Sequence, residues 1–190
     1  MTERDPYVYP GSTVLKNRFN IRDAAALAYR EREFVTQRIR EGVPSGSLDF
    51  AHLRAIHRHL FQDVYHWAGE PRTVEISKDG HTFQFQRFIE TGMADIHRRL
   101  VLAHHLQGLD AAGFADKAGE IIGDVNYVHP FREGNGRTQL QYLKQLAAQA
   151  GHPIDLTALD PVRWLDASIA AHAGDYGPMR REITRALVDG

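Results

Sequence analysis

Within the stretch "YVHPFREGNGR", residues 127–137, a histidine, an acid, two glycines, an asparagine and an arginine stand almost side by side. No strand pattern calls for this order, and a helix tolerates neither Pro130 nor two glycines so close together. The segment reads as a loop between two helices. His129 closes the first and Gly136-Arg137 opens the second, so the loop amides feed a helix N-terminus, where unpaired N–H groups and partial positive charge suit an anion. Gly134 and Gly136 allow the positive φ of an amide nest and the close approach of a bulky ligand. Asn135 can donate its amide to a phosphate oxygen, and Arg137 can fork onto phosphate or carboxylate. Glu133 is a hard oxygen ligand suited to Mg²⁺ shared between one carboxylate and substrate phosphates. His129, with an ordinary pKa near ~6.5, is in the range of a general base. Phe131 is expected to point inward and anchor the loop. Any one of these residues has an ordinary structural explanation. Together, a base, a metal carboxylate, an anion hole and a positioning arginine describe phosphate-transfer chemistry. There is no Gly-x-x-x-x-Gly-Lys, so this is not a Walker loop.

The surrounding pattern must hold that loop. Asp23 caps a helix whose Leu27, Phe34, Val35 and Ile39 share one face, and Gly42 closes it. Asp49 starts a second helix, "FAHLRAIHRHLFQDVY", with Leu53, Ile56, Leu60 and Val64 recurring at three- and four-residue steps. The period then changes. "RTVEISKDGHTFQF" alternates and contains Asp79-Gly80, a dipeptide suited to a primed hairpin turn, which predicts strands at Thr73–Ser77 and Thr82–Phe85. Helical spacing resumes from Phe88 to about Leu106, from about Phe114 to Val128, and from Arg137 to Gly151. Two shorter helices follow, "DPVRWLDASIAAHAG" with Pro161 in its first turn and Gly174 at its stop, and "GPMRREITRALV". The first twenty or so residues read as an extended arm. The fold class predicted is all-α: a helical bundle with one small β-hairpin, which must lie on the helical body because an isolated hairpin is marginal.

Composition bounds the partners. A chain of 190 residues fits one domain. A net charge of −1 argues against general nucleic-acid binding, which needs a basic excess. There are no cysteines, hence no disulfide or thiolate chemistry, which fits a reducing compartment. The charged, proline-broken start is no secretory signal, and no apolar run approaches the ~18 residues of a membrane span. The expectation is a cytoplasmic protein with no membrane partner and no direct nucleic-acid binding.

"HPFREGNGR" closely resembles the active-site motif of the Fic family, His-x-Phe-x-Asp/Glu-Gly-Asn-Gly-Arg-x-x-Arg. "FQDVYHWAGEPR" is similar to the helix end and turn that precede the family's flap, "EISKDGHTFQF" to the flap, and the N-terminal "DPYVYPGSTVLKNRFNIRD" to that of small bacterial Fic toxins. The resemblance implies one Fic domain over 1–190, with an arm at 1–21, a flap hairpin at 72–86 and the active-site loop and helix start at 129–137. It implies an AMP transferase that moves AMP from ATP to a Tyr, Thr or Ser hydroxyl of a bacterial target and releases pyrophosphate. His129 would deprotonate the target, Glu133 would hold Mg²⁺, and Gly134, Asn135 and Gly136 would form the anion hole. Arg137 would orient phosphates or tie the loop down. The flap, with Ile76, Ser77, Lys78, Asp79, Gly80 and His81, would dock the target segment as an added strand. Doc-type kinases in this class carry a lysine near Gly134; the glycine here favours AMP transfer.

The chain departs from the motif at Leu140, where the resemblance calls for a second arginine that pairs with the γ-phosphate. Losing such a contact costs about 1.5–3 kcal/mol. Lys144, four residues on, is a possible substitute. Weakened ATP use, another nucleotide or a phosphocholine-type donor, or a domain that only binds nucleotide or a partner are the alternatives this leaves open. The family's self-inhibitory Ser/Thr-x-x-x-Glu-Gly/Asn is not found: Glu41-Gly42 and Glu133-Gly134 are preceded, four residues before the glutamate, by Gln37 and His129. A small antitoxin supplying the inhibitory helix is therefore an expected partner, as for the toxin of a toxin–antitoxin pair; within a larger effector such a domain would be delivered into another cell. His57, His59, His104 and His105 read as surface residues, Trp67 and Trp164 as packing, and Tyr7 and Tyr9 on a mobile arm as candidate self-modification sites.

Overall fold

The computed structural model describes residues 5–78 and 80–188. Asp23, Asp49, Asp110 and Asp160 each turn a side-chain oxygen onto a first-turn amide, and each opens a helix. In chain order the elements are α1 (Ala24–Glu41), α2 (Phe50–Phe61), β1 (Ser77–Lys78), β2 (His81–Thr82), α3 (Ile89–Leu102), α4 (Ala111–Val128), α5 (Asn135–Ala150), α6 (Pro161–His172) and α7 (Gly177–Ala186). The all-α class with one small hairpin holds. Helix α4 is the central element, buried among α3, α5, α6 and α7, while α2 bridges α1, α3 and α5. Its Phe114, Ile122 and Val125 are fully buried, with Leu53, Ile56 and Leu60 of α2 in the same core.

Several boundaries differ from expectation. Helix α2 stops at Phe61, though Val64 and Tyr65 beyond it stay buried. Helix α4 starts at Ala111, because Asp110 caps it before the first large apolar residue. Helix α3 ends at Leu102, and His104, His105 and Leu106 follow at positive φ, a bend that tucks Leu106 into the core. The arm is packed rather than loose: Val8 bridges Leu15, Arg18 N donates to Val64 O at 2.9 Å, and Tyr9 is buried. Tyr7 Oη accepts from Thr73 N at 3.1 Å. Burial of Tyr9 removes it as a modification site.

The hairpin is much shorter than Thr73–Ser77 paired with Thr82–Phe85. Only Ser77 with Thr82 and Lys78 with His81 pair, antiparallel. The cause is Arg72. Its fully buried guanidinium takes Val74 O at 2.7 Å and also Gln84 O, while Gln84 N donates to Tyr127 O at 3.1 Å. Beyond one further bond, Phe83 N to Ile76 O at 3.3 Å, backbone groups that would extend the ladder are thus committed elsewhere. Asp79 of the expected turn lies outside the described residues; Gly80 sits at φ 82°.

Arg72→Met strands at least three carbonyls that this one guanidinium satisfies. A loss of about 3 kcal/mol or more is expected, a Tm lower by about 6–12 °C, and no rescue by Arg72→Lys, whose ammonium lacks the planar fork. Thermal unfolding of the three proteins checks this.

Candidate active site

His129 ends α4 in the left-handed region, φ 48° and ψ 61°, with its N–H on Val125 O at 3.0 Å. Its ring stacks on Phe83 of the flap, centroids 3.8 Å apart. Nδ1 faces Asn126 O at 3.1 Å, so Nδ1 carries the proton and Nε2 keeps its lone pair. Burial pushes the imidazole pKa down to about 4, helped by the charges of Arg72 and Lys78 and opposed by the Asn126 carbonyl. The ring is therefore neutral at physiological pH, with a basic nitrogen available.

The loop that follows is held from inside. Phe131 is buried and stacks on the His57 ring at 3.9 Å, which agrees with its anchoring role. Asn135 is buried, and its carboxamide closes on Phe131, accepting from Phe131 N at 2.9 Å and donating to Phe131 O at 2.7 Å. That side chain is spent on the loop rather than offered to a phosphate. Gly134 sits at φ 82°, and a Cβ there would lie 2.3 Å from the Phe61 ring, so no larger residue fits without moving it. Its N–H donates to Glu133 Oε1 at 2.9 Å. Helix α5 begins at Asn135, two residues ahead of Arg137, and Gly136 is exposed in its first turn. Arg137 leans over Phe61 and pairs with Glu31 of α1 at 2.6 Å, a buried acid that Tyr65 Oη also contacts. Of the two roles open to Arg137, this placement fits tying the loop down.

A cavity of about 450 Å³ lies in front of the loop. His129, Glu133, Gly134 and Gly136 form one wall, α6 forms the other with Trp164, Ser168 and His172, and Lys78 and His81 close the flap side. Ile76 is half-buried and Ser77 exposed. Leu140 is half-buried against the core and is not part of the cavity wall. Lys144 lines a different groove with Ile39 and Val43, so it does not replace the missing arginine. No cluster of three metal-ligating side chains occurs among the described residues. Glu133 fits a cation shared with substrate phosphates, since its carboxylate is half-exposed at the cavity beside the α5 N-terminus.

Sequence reasoning missed two supports. His57 is not a surface residue: it is fully buried, accepts from Gly69 N at Nδ1 (2.8 Å) and donates from Nε2 to Glu133 O (2.9 Å). Burial pushes its pKa down to about 3. The signal was its spacing, four residues from both Leu53 and Phe61 on the buried face of α2. Arg72 was the other, gripping His129 O at 2.9 Å and Val128 O at 3.3 Å. Trp164, taken for packing, is buried and also lines the cavity. Arg132 ties the loop to the arm through Asp5, at 2.8 Å.

A helical bundle with this flap, loop and histidine defines a class, and the chain belongs to the Fic/DOC family, whose signature matches residues 47–147. It is 43% identical over 184 residues to the "Probable protein adenylyltransferase y4lH" of Sinorhizobium fredii, covering 96% of both chains. It is 39% identical over 188 residues to the protein adenylyltransferase VbhT of Bartonella schoenbuchensis, spanning 97% of this chain and 39% of VbhT. Among solved structures, the effector BepC of Bartonella tribocorum with bound AMPPNP matches with a TM-score of 0.87 at 27% identity, over 97% of each chain. A Fic domain of a Bartonella quintana effector with bound ADP matches with a TM-score of 0.87 at 29% identity, over 96% of this chain and 94% of that one.

The two depressed histidine pKa values predict acid sensitivity. Unfolded imidazoles titrate near ~6.5, above the folded values of about 4 and 3. The unfolded state therefore takes protons first, and stability that is full above pH ~6.5 falls as pH drops towards those values, by up to about 1.4 kcal/mol per pH unit for each histidine. Thermal unfolding is expected to show Tm declining from just below pH 6.5, above the carboxylate range, and His129→Gln is expected to shrink that decline.

Proposed function

We propose that this chain transfers AMP from ATP to a Tyr, Thr or Ser hydroxyl of a target protein. The observation that carries the reading is the neutral His129 ring, its Nδ1 proton fixed on Asn126 O, lining a cavity that ends at the α5 N-terminus. The target hydroxyl gives its proton to His129 Nε2 as its oxygen bonds the α-phosphorus; the bond to the bridging oxygen breaks and pyrophosphate leaves. The first-turn amides of Asn135 and Gly136 would meet the developing phosphate charge, and the helix dipole would add to them, while the Gly134 N–H is held by Glu133 Oε1. Glu133 would hold Mg²⁺, which supplies charge neutralisation on the phosphates. Names of relatives as adenylyltransferases, and AMPPNP and ADP in matching structures, support the same reading.

The flap at Ile76–His81 then serves as the rail for the target. Its exposed Ser77 and Lys78 edge offers backbone pairing, and Lys78 and His81 sit on the cavity rim. In this reading residues 1–190 act as one Fic domain in the cytoplasm, where ATP is available, and a small antitoxin supplies the inhibitory helix that the chain's own Glu-Gly pairs do not provide. Among the described residues, no helix is long and apolar enough to cross a membrane.

One observation favours a second donor. Position 140 is leucine, and Arg137 is turned to Glu31, so neither motif arginine position reaches the cavity wall. A nucleotide-linked donor without a γ-phosphate, or a domain with weakened transfer, follows from that.

Label transfer into bacterial lysate with Mg²⁺ and ATP labelled at the α- or the γ-phosphate separates these. A protein band from α-label alone, lost in His129→Ala, is the expected result. Label from γ-ATP would make the chain a kinase, and no label from either would contradict ATP as donor. Leu140→Arg is expected to raise transfer from ATP by about tenfold or more, the value of a charge-assisted phosphate contact; unchanged transfer would show that the missing arginine does not limit the use of ATP.

A further inference from the structure

We propose that Gln139 is a donor-contacting residue whose carboxamide hydrogen-bonds an oxygen of the nucleotide, next to the phosphate seated at the N-terminus of α5. The inference rests on the nucleotide reading above. Gln139 is 3% exposed and lines the same cavity as Gly136, three residues earlier on α5. Its Nε2 is buried and has no hydrogen-bond partner. Buried side-chain amides are nearly always paired within the protein, or by water or ligand, and an unpaired one destabilises the fold that contains it.

Its neighbours make the exception plain. Asn126, in the same wall, donates to Ser168 O at 3.1 Å. On α5 itself, Asn135 is closed onto Phe131, and Thr138 Oγ1 donates to Gly134 O at 2.9 Å. Among the described residues, the unpaired polar atoms of Tyr9 and Trp67 lie off the cavity wall, and that of His172 lies on α6. Gln139 alone stands on the helix that receives the phosphate.

Spacing supplies the rest. Residues three apart on a helix are surface neighbours, about 5–6 Å between side-chain bases. Gly136 carries no side chain and has open space where one would be. An anion held at the first turn of α5 therefore has its next oxygen-bearing group beside the Gln139 amide. Leu140 puts no polar group there, so Gln139 is the α5 side chain placed to meet it. The acceptor is an oxygen of a second phosphate or of the ribose.

The test uses the full chain and two apolar variants of similar volume, Gln139→Met and Gln139→Leu. Calorimetric titration with AMP, ADP and ATP is read beside the Tm of each ligand-free protein. Binding of ADP is expected to weaken by about tenfold or more, while Tm stays level or rises, because an apolar side chain replaces an unpaired amide. A loss seen for ADP and ATP but not AMP supports a phosphate oxygen. An equal loss for all three, matched by the wild type on 2′- or 3′-deoxyribose analogues, supports a ribose hydroxyl. Variants that bind ADP as the wild type does overturn the inference. So does a fall in Tm of more than about 5 °C in both, since the amide would then be holding the fold. A wild-type protein that binds no adenine nucleotide overturns the underlying reading instead, so the two failures are distinguishable.

Discussion

One buried guanidinium sets the geometry on which the site depends. Arg72 has no exposed side-chain surface, and its N–H groups are divided among the carbonyls of Val74, Gln84, Val128 and His129. Burying a charge is costly unless each donor finds an acceptor. That requirement works in reverse as a constraint: the flap base and the end of α4 must approach the same point, or the charge is stranded. With them comes Phe83, which stacks on His129, so the flap and the base are positioned by one interaction. The backbone N–H of Arg72, bonded to Pro130 O at 2.8 Å, extends the hold into the loop.

The opposite side of the loop is fixed by groups whose chemistry looks functional but is spent on structure. His57 holds Glu133 O, Asn135 closes on Phe131, and Glu31 holds Arg137. With these side chains so committed, what the loop itself turns to the cavity is backbone amide, the Glu133 carboxylate and the neutral His129 imidazole. On the proposed reading such a site would meet the charge of phosphates with little rearrangement, as preorganised electrostatic catalysis requires. It also explains why glycines are needed: at Gly134 the ring of Phe61 already occupies the place of a side chain.

The helices were largely legible, because aspartate caps and three-to-four spacing are local signals and both survive folding. Asp23 and Gly42 bound α1 as read, whereas Asp110 shows how a cap ahead of three small residues, before Phe114, escapes a search for apolar periodicity. The loop at 129–137 was legible because so many chemically capable residues seldom gather by chance. What could not be read were contacts between distant segments. The hairpin alternates as a longer ladder would, but Arg72 removes its carbonyls; His57 looks like any helix histidine until Gly69 and Glu133 arrive from elsewhere in the chain. The same distance effect hid the contacts of the Asn135 side chain with Phe131 and of Arg137 with Glu31.

The fold delivers His129 as a neutral imidazole with its proton on Nδ1. Nitrogen-15 NMR of the histidine rings, titrated from pH 8 to pH 4 and assigned with His129→Gln, measures both properties at once. An Nδ1–H tautomer at neutral pH and a His129 pKa near the value of about 4 that burial imposes are expected. An Nε2–H tautomer, or a pKa at the ordinary ~6.5, would contradict this.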